Sequence, residues 1–133
     1  MKGIDKYIIR DILDEMHVAT SFDDDGDLMV VQQADEDFVY DVVIYIIVND
    51  NRLTFMAMAQ DYEPAGDLLF LANRHNCRKN MPTAVVRNGH VRMEYSFLLD
   101  EEVSREYIRE NCLGMALGSI WHGFMNLERD DED

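Results

Sequence analysis

The chain has 133 residues, which suits a single domain and allows a core to form without disulfides or metals. It carries 27 Asp and Glu against 12 Lys and Arg, a formal charge of -15, so its surface repels phosphate backbones and anionic membranes. We therefore expect neither nucleic acid nor membrane as a partner. Apolar residues make up 47% of the chain, which excludes a disordered protein, and no segment reaches the roughly 20 apolar residues of a membrane span.

The first residues lack the uninterrupted apolar core of a signal peptide. Cys77 and Cys112 lie far apart, and no Cys-x-x-Cys pair occurs. These features predict a cytoplasmic protein with two free thiols.

The first half of the chain predicts a helix followed by three strands. The helix is amphipathic and stops before the turn at Asp23-Asp24-Asp25-Gly26. An antiparallel meander is expected over residues 28–33, 38–48 and 53–59. The middle strand is apolar on both faces, which predicts a central strand that is covered on both sides. The apolar side chains that recur every four residues in the helix are Ile4, Ile8, Ile12 and Met16.

The second half predicts a helix, a hairpin and a closing helix. Pro64 is the expected helix start, because the first helical position needs no N–H. The pair Asn88-Gly89 predicts a hairpin with arms 84–87 and 91–98. Asp100 is the expected N-cap of a closing helix that runs to Leu127. The fold class is thus α+β, an antiparallel sheet flanked by helices in the order α-β-β-β-α-β-β-α. We expect one domain over residues 1–127 and an acidic tail over 128–133.

Two segments carry a resemblance to a known family. Residues 69–76 (LFLANRHN) and 83–96 (TAVVRNGHVRMEYS) resemble the YbjN-like family of bacterial sensory transduction regulators. In that family a helix with the pattern Leu-x-x-x-Asn-x-x-Asn precedes a short hairpin and a closing helix. The resemblance extends over most of the chain, from Leu28 to Leu127. It implies a type III secretion chaperone-like fold and a bacterial cytoplasmic setting. It implies no enzymatic activity, and it supplies no catalytic residues.

The patterns that would indicate a catalytic or metal site do not fit their required spacings. With Gly26 placed at position six of a calcium-binding EF-hand loop, Ser21 and Gln32 fall where carboxylates are needed, so a solvated turn is expected there. None of the four histidines has a His or Cys three or four residues away. Cys112 and His122 would lie about 15 Å apart along one helix, too far for proton transfer. We therefore predict no catalytic residues, no metal site and no cofactor.

The closing helix is charged on one face in its first half and free of charged residues from Asn111 to Leu127. Continued at 100° per residue, the charged face becomes apolar, which predicts a protein interface. The core-side face then carries Gly114, Met115, Gly118, His122 and Met125. The alternative is a helix that breaks near Gly114 or Gly118, with its second segment folded into the chain's own core. The predicted interface residues are Leu113, Leu117, Ile120, Trp121, Phe124 and Leu127.

These observations favour a non-enzymatic regulatory or chaperone-like adaptor that acts through protein contacts as a homodimer. The alternative is a small-ligand binder or an enzyme whose site assembles only in the fold. A concave pocket in which several polar side chains converge would favour that alternative. A chaperone for secreted effectors is a third possibility, which rests on analogy of fold alone.

Overall fold

The computed structural model describes residues 4–49, 51–79, 81–99 and 102–129. Three helical segments between Arg105 and Met125 follow one another without a break, and we call them together the closing helix. The α+β class and the predicted order of elements are confirmed, with the two-residue β1 as an addition. The elements are α1 (Lys6–Glu15), β1 (Ser21–Phe22), β2 (Leu28–Gln32), β3 (Val42–Asn49), β4 (Arg52–Ala59), α2 (Leu68–Arg78), β5 (Thr83–Arg87), β6 (His90–Leu98), α3 (Arg105–Tyr107), a π-helical segment (Ile108–Gly114) and α4 (Met115–Met125).

The strands form one antiparallel sheet in the order β1-β2-β3-β4-β6-β5. Along each strand, alternate side chains enter one core, which also contains the apolar sides of α1, α2 and the closing helix. Ile44 of β3 faces Val30 and Ala57 of the neighbouring strands, and all three are almost fully buried. The molecule therefore has two layers, with the described helices on one face of the sheet.

The strand predicted over 38–48 begins later, at Val42, because local hydrogen bonds hold residues 34–41 outside the sheet. Asp35 Oδ1 accepts from the backbone N–H groups of Asp37 and Phe38 at 2.8 and 2.9 Å. Asp41 Oδ1 accepts from the N–H of Ala34 at 2.8 Å. Side chains of this kind compete with a β-ladder for backbone groups.

The second helix begins at Leu68 and not at Pro64, because the carboxylate of Asp67 supplies the N-cap. It accepts hydrogen bonds from the N–H groups of Leu69 and Phe70. The predicted hairpin is confirmed, and both of its turn residues have the positive φ that a tight hairpin turn requires, 52° at Asn88 and 79° at Gly89.

The closing helix is capped by Ser104, whose hydroxyl accepts from the N–H of Tyr107 at 3.0 Å. The predicted cap, Asp100, lies outside the described residues. The last α-helical residue is Met125, two residues before the predicted end.

The expected acidic tail starts with a residue that is tied to the fold. Glu128 accepts hydrogen bonds from the Tyr62 hydroxyl at 2.6 Å and from the N–H of Ala65 at 2.7 Å. Burial, and after it this hydrogen bond to Glu128, raises the pKa of the Tyr62 phenol. Residues 130–133 of the tail lie outside the described residues.

Candidate functional site

The six residues predicted as a protein interface lie mainly in the chain's own core. Five of them are between 0% and 6% exposed. Trp121 is partly exposed and packs edge-on against Phe38, with 5.5 Å between the ring centroids. These side chains pack the sheet face beneath the closing helix, so we do not place a contact surface on them. The alternative interpretation, a second segment folded into the chain's own core, describes their positions, although the helix does not break near Gly114 or Gly118.

The π-helical segment explains why the face of the closing helix changes. A π turn closes its hydrogen bond from i to i+5, so each turn takes up about one residue more than an α turn. Residues after Gly114 are therefore rotated relative to those before Ile108. The predicted core side of α4 is wrong as a result: Met115 is 50% exposed, and Gly118 and His122 are exposed.

An apolar surface does exist on the sheet face that points away from the helices. Antiparallel partners point to the same side of a sheet, so the register places Val31, Val43 and Met58 in one row across β2, β3 and β4. Met29, Tyr45 and Met56 form the next row. We call this surface the open face. Its apolar side chains, none of which belongs to the core or packs against it, are Met29, Val31, Val43, Tyr45, Ile47, Met56, Met58, Val85 and Leu98.

The open face lacks the acidic surplus of the rest of the molecule. Among the described strands, its charged side chains are three guanidinium groups, from Arg52, Arg87 and Arg92, and one carboxylate, from Glu94. Arg92 and Glu94 form an ion pair with 2.6 Å between Nη2 and Oε2. Thr54 and Ser96 are hydrogen-bonded across the β4–β6 pair at 3.1 Å. The face is therefore apolar across β2–β4 and slightly cationic across β6 and β5.

The sequence of β3 contains the apolar pattern that forms this surface, but the pattern predicts a buried face and not an open one. The alternation of Val43, Tyr45 and Ile47 with the buried residues of β3 predicts a strand with two apolar faces. The prediction that β3 is a central strand is confirmed. The prediction that both of its faces are covered is wrong, because the described helices lie on one face and these three side chains are only partly buried.

A second feature is a pocket between the C-terminal ends of α2 and α4. It has a volume of about 480 Å³. His75 lies at its base, where Nε2–H donates to the carbonyl oxygen of Pro82 at 2.7 Å. Three cationic side chains, Arg78, Lys79 and Arg129, line its walls. We call this cavity the basic pocket. It could not be predicted from local sequence, because its residues come from segments more than 30 positions apart.

The Asp-rich segment between β1 and β2 has a structural role. The Asp23 carboxylate accepts hydrogen bonds from the N–H groups of Asp25 and Asp27, both at 2.9 Å. Gly26 has a φ of 83°, and its carbonyl accepts from Lys6 Nζ at 2.7 Å. The carboxylate of Asp23 is thus used to form a tight turn. Across the described ranges, no three His, Cys, Asp or Glu side chains converge as metal ligands would.

The two cysteines differ in their environment. Cys112 is fully buried in the closing helix, and this burial raises the pKa of its thiol to about 11. At neutral pH only about one Cys112 side chain in 10,000 is then a thiolate, so it is a poor nucleophile. Cys77 is exposed on α2 and forms no disulfide.

The comparisons with known proteins give one match. Residues 6–113 match the sequence model of the YbjN family, which is described as "Putative bacterial sensory transduction regulator". No curated protein and no solved structure is similar enough to this chain to count as a match. In the described part of the chain, no helix combines the length and apolar character that crossing a bilayer requires.

Proposed function

Because the chain belongs to the YbjN family, we propose that it is a non-enzymatic regulator that acts through protein–protein contacts, with the open face binding a second copy of the chain. The observation that carries the proposal is the set of nine apolar side chains on the open face that contribute nothing to the core. Contiguous apolar surface of this kind is rare on monomeric soluble proteins and marks interaction sites.

The open face is large enough for a stable dimer. Five strands, β2 to β6, span four spacings of about 4.8 Å, and the eight residues of β3 extend about 26 Å along the strand. The flat projection is therefore about 500 Å², and the relief of the side chains adds to it. A standard interface buries roughly 800 Å² on each partner, so the two areas are comparable.

The charge distribution favours a second copy as the partner. Two chains of charge -15 repel each other wherever their acidic surfaces meet. Among the strands that the structure describes, the open face carries a single carboxylate, Glu94, and that group is already paired with Arg92. Two open faces can therefore meet without bringing carboxylates together. A two-fold arrangement is also self-complementary, since each Arg92–Glu94 pair is available to its symmetry mate.

The proposal includes a chaperone-like adaptor role in the bacterial cytoplasm. The resemblance of residues 69–76 and 83–96 to the YbjN-like family supports this setting. The exposed methionines of the open face support an adaptor role, because the flexible Met side chain packs well against surfaces of different shape. Met58, for example, is 43% exposed.

Sedimentation equilibrium of the wild-type chain and of a Val31→Glu/Met58→Glu variant tests the proposed dimer. Both side chains are 43% exposed and lie in the same row of the open face, so the substitutions leave the core intact. We expect a wild-type dimer at tens of micromolar. The variant is expected to dimerise at least about 100-fold more weakly, because four carboxylates would be buried at the two-fold interface.

A matched control adds the same two charges elsewhere. Leu69→Glu/Met115→Glu changes two exposed apolar residues on helices, which are 64% and 50% exposed. This variant should dimerise like the wild type. A wild-type chain that is monomeric at these concentrations would contradict the proposal, and so would an equal effect of the two variants.

A further inference from the structure

We propose that the basic pocket binds a small, soluble organic phosphate monoester. The proposal concerns the helix side of the molecule and is independent of the dimer on the open face. It starts from a contrast in charge. The chain carries more than twice as many acidic as basic residues, yet no Asp or Glu occurs among the described residues that line this pocket.

Two of the pocket's cations have no carboxylate partner. Arg78 Nη1 donates to the backbone carbonyl of Arg129 at 2.9 Å, which fixes the guanidinium in place without neutralising it. Within the described part of the chain, the Lys79 ammonium forms neither an ion pair nor a hydrogen bond. With acidic residues in such excess, unpaired cations on one pocket wall indicate a site for an external anion.

The helix dipoles do not neutralise these cations. Arg78 and Lys79 lie at the C-terminal end of α2, and Arg129 follows the end of α4. Stabilisation of helix C-termini therefore explains part of their placement. Each C-terminus is equivalent to about half a negative charge, so two helices contribute about -1, which is less than the two full positive charges of Arg78 and Lys79. The pocket wall therefore keeps a net positive charge, which favours a phosphate monoester of charge about -1.5 to -2 at neutral pH.

Glu128, a carboxylate that neighbours the pocket in the sequence, is directed elsewhere. Glu128 stands between two pocket residues, Leu127 and Arg129, but both of its oxygens are hydrogen-bonded to the 62–65 loop. Its charge is thereby kept on the loop side of the chain. The polar groups that remain in the pocket include the Ser119 hydroxyl and the His122 imidazole, both of which are able to donate to phosphate oxygens.

The size and the apolar part of the lining indicate an organic ligand larger than phosphate itself. A volume of about 480 Å³ lies within the range of roughly 300–1,000 Å³ that is typical of small-molecule sites. Met81, Pro82 and Leu127 line the same cavity as the cations. An apolar or aromatic group attached to the phosphate would contact these side chains.

Isothermal titration calorimetry with phenyl phosphate tests the proposal on the full chain. We expect saturable binding with one site per chain, and binding at least tenfold weaker for inorganic phosphate, which lacks the apolar body. Arg78→Gln/Lys79→Gln should weaken phenyl phosphate binding at least tenfold. Lys79→Glu alone is the second test if the double variant folds poorly. It reverses an exposed charge that has no contact with the core, and it should weaken binding by a similar factor.

The matched control is Arg10→Gln/Arg109→Gln. It removes two cations from the surfaces of α1 and the π-helical segment, away from the pocket, and changes the net charge equally. Its affinity for phenyl phosphate should equal that of the wild type. An equal loss in this control would overturn the proposal, because binding would then reflect net charge alone. Absence of saturable binding, or equal affinity for inorganic phosphate, would overturn it as well.

Discussion

At the scale of single residues, Asn76 shows how one side chain joins a helix to a sheet. Its Nδ2 donates to the carbonyl oxygen of Ala84 at 2.9 Å, and its Oδ1 accepts from the N–H of the same residue at 2.8 Å. Ala84 lies in β5, at one edge of the sheet. The amide thus pairs with this edge strand as a neighbouring strand would. It satisfies backbone N–H and C=O groups that, when unpaired, are free to pair with another chain and promote aggregation. This gives a physical reason for the second Asn in the pattern Leu-x-x-x-Asn-x-x-Asn.

Asn76→Asp should lower the free energy of unfolding by about 2–3 kcal/mol at pH 7. The carboxylate keeps the acceptor for Ala84 N–H but places negative charge against the Ala84 carbonyl. This contact raises the pKa of the new carboxyl, so the penalty should shrink below about pH 4, where the acid form donates again. Urea unfolding at pH 7 and pH 3.5 measures both effects. Asn73→Asp, one turn earlier and exposed, is the control and should cost less than about 0.5 kcal/mol.

At the scale of elements, the closing helix combines three glycines with different surroundings. A Cβ on Gly118 would meet no heavy atom within 4 Å. A Cβ on Gly123 would lie 3.3 Å from Met93 Cε and 3.4 Å from both His75 Cε1 and Pro82 Cγ. Gly123 thus permits α4 to approach α2 and the start of β5 at the base of the basic pocket. At this position close packing leaves little room for a larger side chain.

Gly118→Ala should therefore stabilise the protein, and Gly123→Ala should not. Alanine gains about 0.5–1 kcal/mol over glycine inside a helix, and at Gly118 nothing opposes that gain. At Gly123 the contacts with Met93, His75 and Pro82 offset it. Urea denaturation of the two variants gives the comparison. Equal stabilisation by both would mean that the close packing around Gly123 does not constrain the fold.

Local signals predict elements better than they predict how those elements are covered. The hairpin was predictable because Asn88 and Gly89 specify its turn within two residues. The π-helical segment was not, because no residue between Ile108 and Gly114 marks a change of period, and the face of α4 changed with it. The open face was also missed, since the sequence of β3 does not show on which side the helices pack.

The basic pocket could be identified only in the folded chain, and not from any single segment of the sequence. Arg78, Lys79 and Arg129 come together because α2 and α4 both end at the same place. Each of these residues is unremarkable in its own segment, where a cation near a helix C-terminus is the ordinary expectation. Their shared excess of positive charge appears in the assembled fold and in no single stretch of sequence.

At the scale of the whole molecule, the two proposed surfaces lie where the acidic surplus is absent. Within the ranges that the structure describes, the open face has a single carboxylate, and the lining of the basic pocket has none. The remaining surface carries most of the charge of -15. Such a field opposes the binding of any anion, so the affinity of the pocket depends on the charge of the rest of the chain as well as on its own cations. Four acidic residues, 130–133, directly follow the pocket residue Arg129 in the sequence.

A chain with Asp130→Asn, Asp131→Asn, Glu132→Gln and Asp133→Asn should bind phenyl phosphate several-fold more tightly than the wild type at low salt. Removing four carboxylates next to a pocket residue lowers the local repulsion of the anion. The gain should disappear near 0.5 M NaCl, where charges are screened beyond about 4 Å. Calorimetry of both chains at low and high salt measures the difference. The control is the quadruple variant Asp24→Asn, Asp25→Asn, Glu36→Gln and Asp37→Asn, which removes four exposed carboxylates outside the pocket. An equal gain in this control would assign the effect to net charge and not to the segment beside the pocket.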